Sequence, residues 1–393
     1  MMMIRQLKPA LLTTPLLLAS PWLPHLEAAQ ETETPEQATT ETSAGDESEA
    51  ADAEADGFVP ASGETGFEVE EDEWAALDRE LQGLSMAELD FGPRVDVWTY
   101  IRSNAFWLKS DAAGVNLDNV RLNFTGQTGS YSYRLTGEFA SGEGQLLDAW
   151  LSTPVGEELA FTFGRFRPPF LRSGLIEARD LLFIARTRNG IFYSRRDDGL
   201  MVNGDHGRLH WAFAGHNGAS GTLDRHLLTG QVKVNIIGEP ELPWEGAYRA
   251  GEKTRLTLGA AISNDDAASD GTAYAAELYL VHKGVSVAAE IVDYDADYSL
   301  DLPLEQRGNT TPWTVTASVM IVPEKYEVAL RYDDFDDTDS PLDRDRRTVT
   351  LGFNRYVSGH DLKWQFNYAA AHKGGDQDGP HDAVIALGLT ASF

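Results

Sequence analysis

The chain contains no cysteine. That excludes disulfides, thiolate metal sites, a cysteine nucleophile and a lipid-modified N-terminal cysteine, and it suits passage through an oxidising compartment. Beyond the first 30 positions no run of 18 apolar residues occurs, so a helical membrane protein is not expected. Bases are few, 32 Lys and Arg against 62 Asp and Glu for a formal net charge of -30. Such a balance offers no basic face to a nucleic-acid backbone. A serine elbow, a glycine-rich phosphate loop and an HExxH pair are all missing, so neither catalysis nor a cofactor is expected. His206, His210, His216 and His226 fall in different expected strands or loops and read as scattered polar positions rather than metal ligands.

What is present is unevenly placed. Residues 27–90 hold 21 acids against the single base Arg79. Before them, Arg5 and Lys8 precede an apolar stretch at 10–23 and the small residues Ala28 and Ala29. This pattern reads as a signal peptide over 1–29, with a short anchoring helix as the competing reading. Residues 30–66 carry high charge and little bulk, the composition of a disordered acidic tether. Trp74, Leu77, Leu81 and Leu84 then recur at helical spacing, predicting a short helical segment within 67–90.

From Phe91 the apolar period becomes two. Val120, Leu122 and Phe124 alternate with Arg121, Asn123 and Thr125, and Leu256, Leu258 and Ile262 share a face opposite Arg255, Thr257 and Gly259. The coarse pattern predicts sixteen strands over 91–393, an all-β, antiparallel transmembrane barrel. Short connections alternate with long ones, as on the two rims of an outer-membrane barrel. The long ones are expected at 102–117, 168–195, 217–225, 263–270, 293–311, 335–344 and 371–381. Two connections break the rule: 140–144 is short where a long one is due, and 237–251 is long where a short one is due. Phe393, an aromatic residue on the last strand, is the expected assembly signal for the barrel assembly machinery.

Within the third long loop lies GRFRPPFLRSGLIEARDLLFIARTRNG. Eight arginines stand between Arg165 and Arg196, against the acids Glu177 and Asp180. Pro168 and Pro169 withhold backbone donors, so the strand must end there. Leu175, Ile176, Leu181, Leu182, Phe183 and Ile184 give the loop apolar anchors, and a barrel lumen is where such a loop can bury them. An inward-folded third loop would line a constriction with guanidinium groups, whose fixed charge and planar fork suit anions. Arg165, Arg167, Arg172, Arg179, Arg186 and Arg188 are the candidate anion-selectivity residues. Glu177, Asp180, Arg195 and Arg196 are candidate loop clamps, and clamping by Glu177, Asp180, Asp197 or Asp198 remains the alternative for the arginines themselves.

Several fragments resemble the phosphate-selective porins of the OprP and OprO kind. They are LDNVRLNFTG, YSYRLTGEFASGEGQLLDAWLS, FTFGRFRPPF, EARD before RRDDGLMVNG, and FNRYVSGHDLKWQFNYAAAH near the end. The resemblance is densest over 118–203. It implies a sixteen-stranded homotrimeric barrel, an inward third loop and passive diffusion of small anions, phosphate or other oxyanions among them, across the outer membrane. The family usually carries a glutamine and a lysine where Arg165 and Arg167 stand, which keeps positive charge but alters its geometry. Arg355 likewise replaces a usual aromatic. The acidic loops at 264–266, 293–301 and 331–345 are expected to form a solvated rim, with divalent-cation bridges to lipopolysaccharide as the competing reading. The second functional class is a structural or adhesive outer-membrane barrel that holds its acidic N-terminal segment near the cell wall.

Overall fold

The period of two becomes the two faces of a closed wall. The computed structural model describes residues 95–109, 112–192, 194–218, 226–265, 271–294, 310–335, 346–373 and 382–393. The expected signal peptide, tether and helical segment over 1–90 lie outside them. Sixteen strands follow in chain order: β1 Val95–Leu108, β2 Ala113–Thr128, β3 Tyr131–Glu138, β4 Gln145–Val155, β5 Leu159–Phe166, β6 Asp197–His206, β7 Leu209–His216 and β8 Leu227–Ile237. The second half comprises β9 Arg255–Asp265, β10 Gly271–His282, β11 Val285–Tyr294, β12 Trp313–Val322, β13 Tyr326–Phe335, β14 Arg346–Ser358, β15 Leu362–Lys373 and β16 Asp382–Ser392.

Each strand pairs antiparallel with the next, and β1 pairs with β16 to close the ring. At that seam Thr99 and Phe393 exchange backbone hydrogen bonds of 2.9 and 3.0 Å. Closure leaves no sheet edge, so the ladder amides and carbonyls are satisfied without water. No helix among the described residues is long and apolar enough to cross a membrane.

Side chains sort by parity. Val97, Phe163, Phe213, Leu258, Leu330, Leu351, Phe366 and Leu387 are exposed on the outer face, where lipid covers them. Asn123, Thr136, Gln231, Thr257, Glu327, Asn354, Lys363 and Gln365 are buried on the inner face. The apolar alternation read from the sequence is therefore a lipid-facing stripe, with the polar residues facing the interior.

Both irregular connections are real features of the fold. The β3–β4 connection is short at 139–144, and the β8–β9 connection runs from 238 to 254 on the rim of short turns. The long first loop expected at 102–117 is not found. β1 and β2 run on through most of it and leave 109–112 as the connection. Its polar residues face inward across the ladder instead: Asn104 Nδ2 donates to both Asp118 carboxylate oxygens at 2.7 Å.

Candidate functional site

The 167–196 segment begins where Phe166 ends β5 and the two prolines stop the ladder. It carries a short helix α1 (Arg172–Leu175), a 3-10 turn at Ala178–Asp180 and a second short helix α2 (Arg188–Phe192). Phe170, Leu171, Leu181, Leu182 and Phe183 are buried almost completely. Phe170 and Leu171 pack with Ala273, Ala275, Val292 and Tyr294 of β10 and β11, while Leu182 and Phe183 pack with Ala329 of β13. Gly352 of β14 admits the Phe183 ring, because a Cβ there would stand 2.7 Å from it.

Hydrogen bonds tie this segment to strands around most of the ring. Gln231 of β8 donates to the Phe170 carbonyl at 2.7 Å, and the Arg172 amide donates to Glu277 of β10 at 2.7 Å. Thr187 donates to Glu290 of β11 at 2.7 Å, and Arg331 of β13 donates to the Ala185 carbonyl at 2.8 Å. Asn354 of β14 reaches the Leu182 carbonyl at 2.9 Å. Lys363 of β15 reaches the Leu181 carbonyl at 2.6 Å, and Gln365 donates to the carbonyls of both Leu181 and Leu182. Arg102 of β1 adds a 2.7 Å bond to the Ile184 carbonyl.

The β8–β9 connection meets the same segment from the opposite rim. Leu242, Glu245, Ala247, Tyr248 and Ala250 are buried. The Glu245 amide donates to the Asp180 carbonyl at 3.0 Å, and the Glu245 carboxylate accepts from the Leu182 amide at 2.8 Å. Arg172 donates to the carbonyls of Leu242 and Trp244 at 2.9 and 2.5 Å, pairs with Glu241 at 3.3 Å and lies 4.2 Å over the Tyr279 ring. Glu327 of β13 accepts from the Ala247 amide at 2.7 Å and from the Ser318 and Tyr356 hydroxyls at 2.6 Å each.

The candidate arginines therefore separate by role. Arg165 stands on the outer face with Phe163 and Leu200, and it pairs with Asp198 at 3.3 Å. Strand parity removes it from the interior, because Thr162 and Phe166 of the same strand face inward and are buried. Arg167 is buried and donates to the carbonyls of Leu175 and Ile176 at 2.6 and 3.1 Å. Arg186 donates to the Ser173 carbonyl at 2.6 Å and to that of Ile176. Arg179 lies 4.4 Å over the Trp98 ring and pairs with Asp361 at 3.3 Å and Asp180 at 3.6 Å, while Arg188 lies 4.3 Å over Phe335. Arg195 is exposed, whereas Arg196 is held by both oxygens of Asp148 at 3.1 Å.

One carboxylate gathers several of these charges. Glu177 lies 2.7 Å from Arg134, 3.2 Å from Arg121 and 3.6 Å from Arg167. Arg121 also pairs with Glu138 at 2.7 Å. Burial resists ionisation of Glu177, but Arg167, Arg134 and Arg121 outweigh it and hold its carboxyl well below the usual carboxylate range. A cavity of about 240 Å³ opens beside this cluster, lined among others by Arg134, Arg167, Glu177, Asp148, Thr162 and Trp150. Arg121, Arg134, Glu138 and Asp148 on the wall were not among the sequence candidates. Alternation did place Arg121 on the polar face, the one sequence signal that pointed to this cluster.

No family model matches the sequence, and no curated protein matches it either. Solved structures do match. A loop-L8 deletion mutant of OmpT, an outer membrane protein of Vibrio cholerae, aligns over 77% of this chain and 100% of its own, at 10% identity and TM-score 0.56. An anion-selective porin from Comamonas acidovorans aligns over 77% and 100%, at 14% identity and TM-score 0.52. OprB of Pseudomonas putida aligns over 82% and 97%, at 12% identity and TM-score 0.52. At such identities the likeness is one of fold. Together with the closed ring and its apolar outer face, it makes this chain a sixteen-stranded β-barrel of the outer membrane.

Proposed function

We propose that the protein is a passive outer-membrane diffusion channel that prefers small anions, and that the 167–196 segment folds into the lumen to form its constriction. The observation that carries this reading is the convergence of Arg121, Arg134 and Arg167 from the wall and the loop on Glu177, beside the 240 Å³ cavity. Arg121, Arg134, Arg167, Arg186 and Arg196 surround Glu177, with Glu138, Asp148, Asp180 and Glu245 as neighbouring carboxylates. Guanidinium groups set between low-dielectric walls along a passage enrich anions and repel cations. The resemblance to phosphate-selective porins points the same way, as does the name of the Comamonas porin. A homotrimer is the expected assembly, in keeping with the trimer form named for OmpT.

The test is the reversal potential of the purified protein in planar bilayers under a KCl gradient, repeated with Arg134→Ala. A potential of anion sign that weakens in the variant supports the reading. A cation-selective wild type overturns it. A non-conducting wild type favours the structural-barrel alternative, for which the observation is that the 167–196 and 238–254 segments join each other through the backbone bond from Glu245 to Asp180.

A further inference from the structure

The outer face of the wall carries a charge that the lumen does not use. Along β14 the outward residues run Leu351, Phe353, Arg355 and Val357, all exposed, so an arginine interrupts an apolar stripe. In register it lies between Tyr326 of β13 and Trp364 of β15, and the Tyr326 ring stacks on Phe353 at 5.8 Å. Aromatic side chains ring a transmembrane barrel at the depth of the lipid headgroups. Arg355 therefore stands in the girdle of the short-turn rim, near the Ser358 end of its strand.

A second cation stands nearby. A cavity of about 890 Å³ opens on this rim, with Lys325, Tyr326, Arg355 and Val357 in its wall. The carboxylates around that cavity are already engaged. Asp180 and Asp361 pair with Arg179 at 3.6 and 3.3 Å, and Glu324 pairs with Arg249 at 3.5 Å. Among the described residues, neither Arg355 nor Lys325 has a side-chain hydrogen bond or a carboxylate partner. With 62 acids against 32 bases in the chain, carboxylates are not scarce. Two cations left unpaired at headgroup depth can take their counter-charge from the bilayer. A guanidinium forks onto phosphate oxygens, and an ammonium adds a point charge beside it. Leu351, Phe353 and Phe366 continue from Arg355 along the lipid-facing wall, where the acyl chains of the same molecule would lie.

We propose that Arg355 and Lys325 hold the phosphate of an anionic phospholipid in the periplasmic leaflet, with Tyr326, Phe353 and Trp364 flanking its glycerol and upper acyl chains. The bound lipid sets the depth of the β13–β15 arc in the bilayer, as interfacial anchors do. The proposal rests on the outer-membrane barrel alone and does not depend on ion conduction.

The experiment measures, by mass spectrometry of the intact detergent-purified protein, how much phosphatidylglycerol and phosphatidylcholine it retains from an equal mixture. Wild type is expected to keep phosphatidylglycerol in preference. Arg355→Phe keeps an aromatic in the girdle and removes the charge, and it is expected to lower that preference about fivefold, the scale of one cation near an anionic lipid surface. Adding Lys325→Ala is expected to lower it more than about tenfold. Arg355→Lys is expected to retain most of it. Lys253→Ala removes a cation of the same rim that Glu239 already pairs at 3.0 Å, and is expected to change nothing. Equal retention of both lipids by wild type overturns the proposal, as does an unchanged preference in the double variant or an equal loss in Lys253→Ala. Displacement of phosphatidylglycerol by excess inorganic phosphate overturns it too, because the two cations would then take the free ion without the lipid. If the double variant does not fold, the Arg355→Phe comparison decides.

Discussion

The backbone amide of Glu245 donates to the carbonyl of Asp180 at 3.0 Å, joining two connections that leave the barrel wall at opposite rims. One enters after β5 and the other after β8, and neither reaches the other through a strand. Gly246 makes the join possible. Its φ is +85°, and a Cβ there would lie 2.6 Å from a Glu327 oxygen and 2.9 Å from Leu182.

Gly246→Ala is expected to cost about 1–3 kcal/mol, from left-handed backbone strain and from displacing Glu327 off the Ala247 amide. Chemical unfolding in detergent measures the cost, and limited proteolysis within 238–254 reports the loosened join. An unchanged midpoint with unchanged cleavage would show that the segment does not depend on this close approach.

Arg165→Ala is expected to leave ion selectivity as it is in the wild type. Its partner Asp198 is 56% exposed and the pair faces outward, so stability should fall by about 1 kcal/mol or less. Reversal potentials for the Arg165→Ala and Arg134→Ala proteins, measured side by side, separate the two faces of the wall. A loss of selectivity in the first would place Arg165 in the ion path after all.

The pH response of Glu177 has a definite sign. Its carboxyl is held below its ordinary value of 4.5, because the surrounding arginines outweigh the burial that opposes ionisation. Its stabilising contribution is therefore complete above that ordinary value and is lost only as pH falls through the lower folded one. The difference in unfolding free energy between wild type and Glu177→Gln should stay constant from about pH 7.5 to about pH 5 and shrink only in stronger acid. A difference that already shrinks near neutrality would mean the arginines are not compensating this carboxylate.

The barrel was largely legible in the sequence because a lipid-facing stripe of period two is a strong local signal. Leu256, Leu258 and Ile262 announce their face without help from any distant residue. The anomalous length of the 238–254 connection was legible too, although its partners were not. Leu242 and Trp244 meet Arg172, 70 and 72 residues away in the chain. The arginine cluster was legible only in part. Charge composition singled out 165–196, but Arg121 and Arg134 come from other strands, and only closure of the ring brings them to Glu177. Arg165 was misplaced because parity near a strand end depends on where the ladder stops. Phe161 and Phe163 share its face, and their apolar character points outward.

The bonds from 170–187 to β1, β8, β10, β11, β13, β14 and β15 also have a mechanical meaning. A wide hollow ring under lateral pressure from the bilayer flattens most easily by letting opposite arcs approach or spread. Polar ties from one segment to several arcs act as spokes, so these residues would keep the cross-section of the ring from becoming oval.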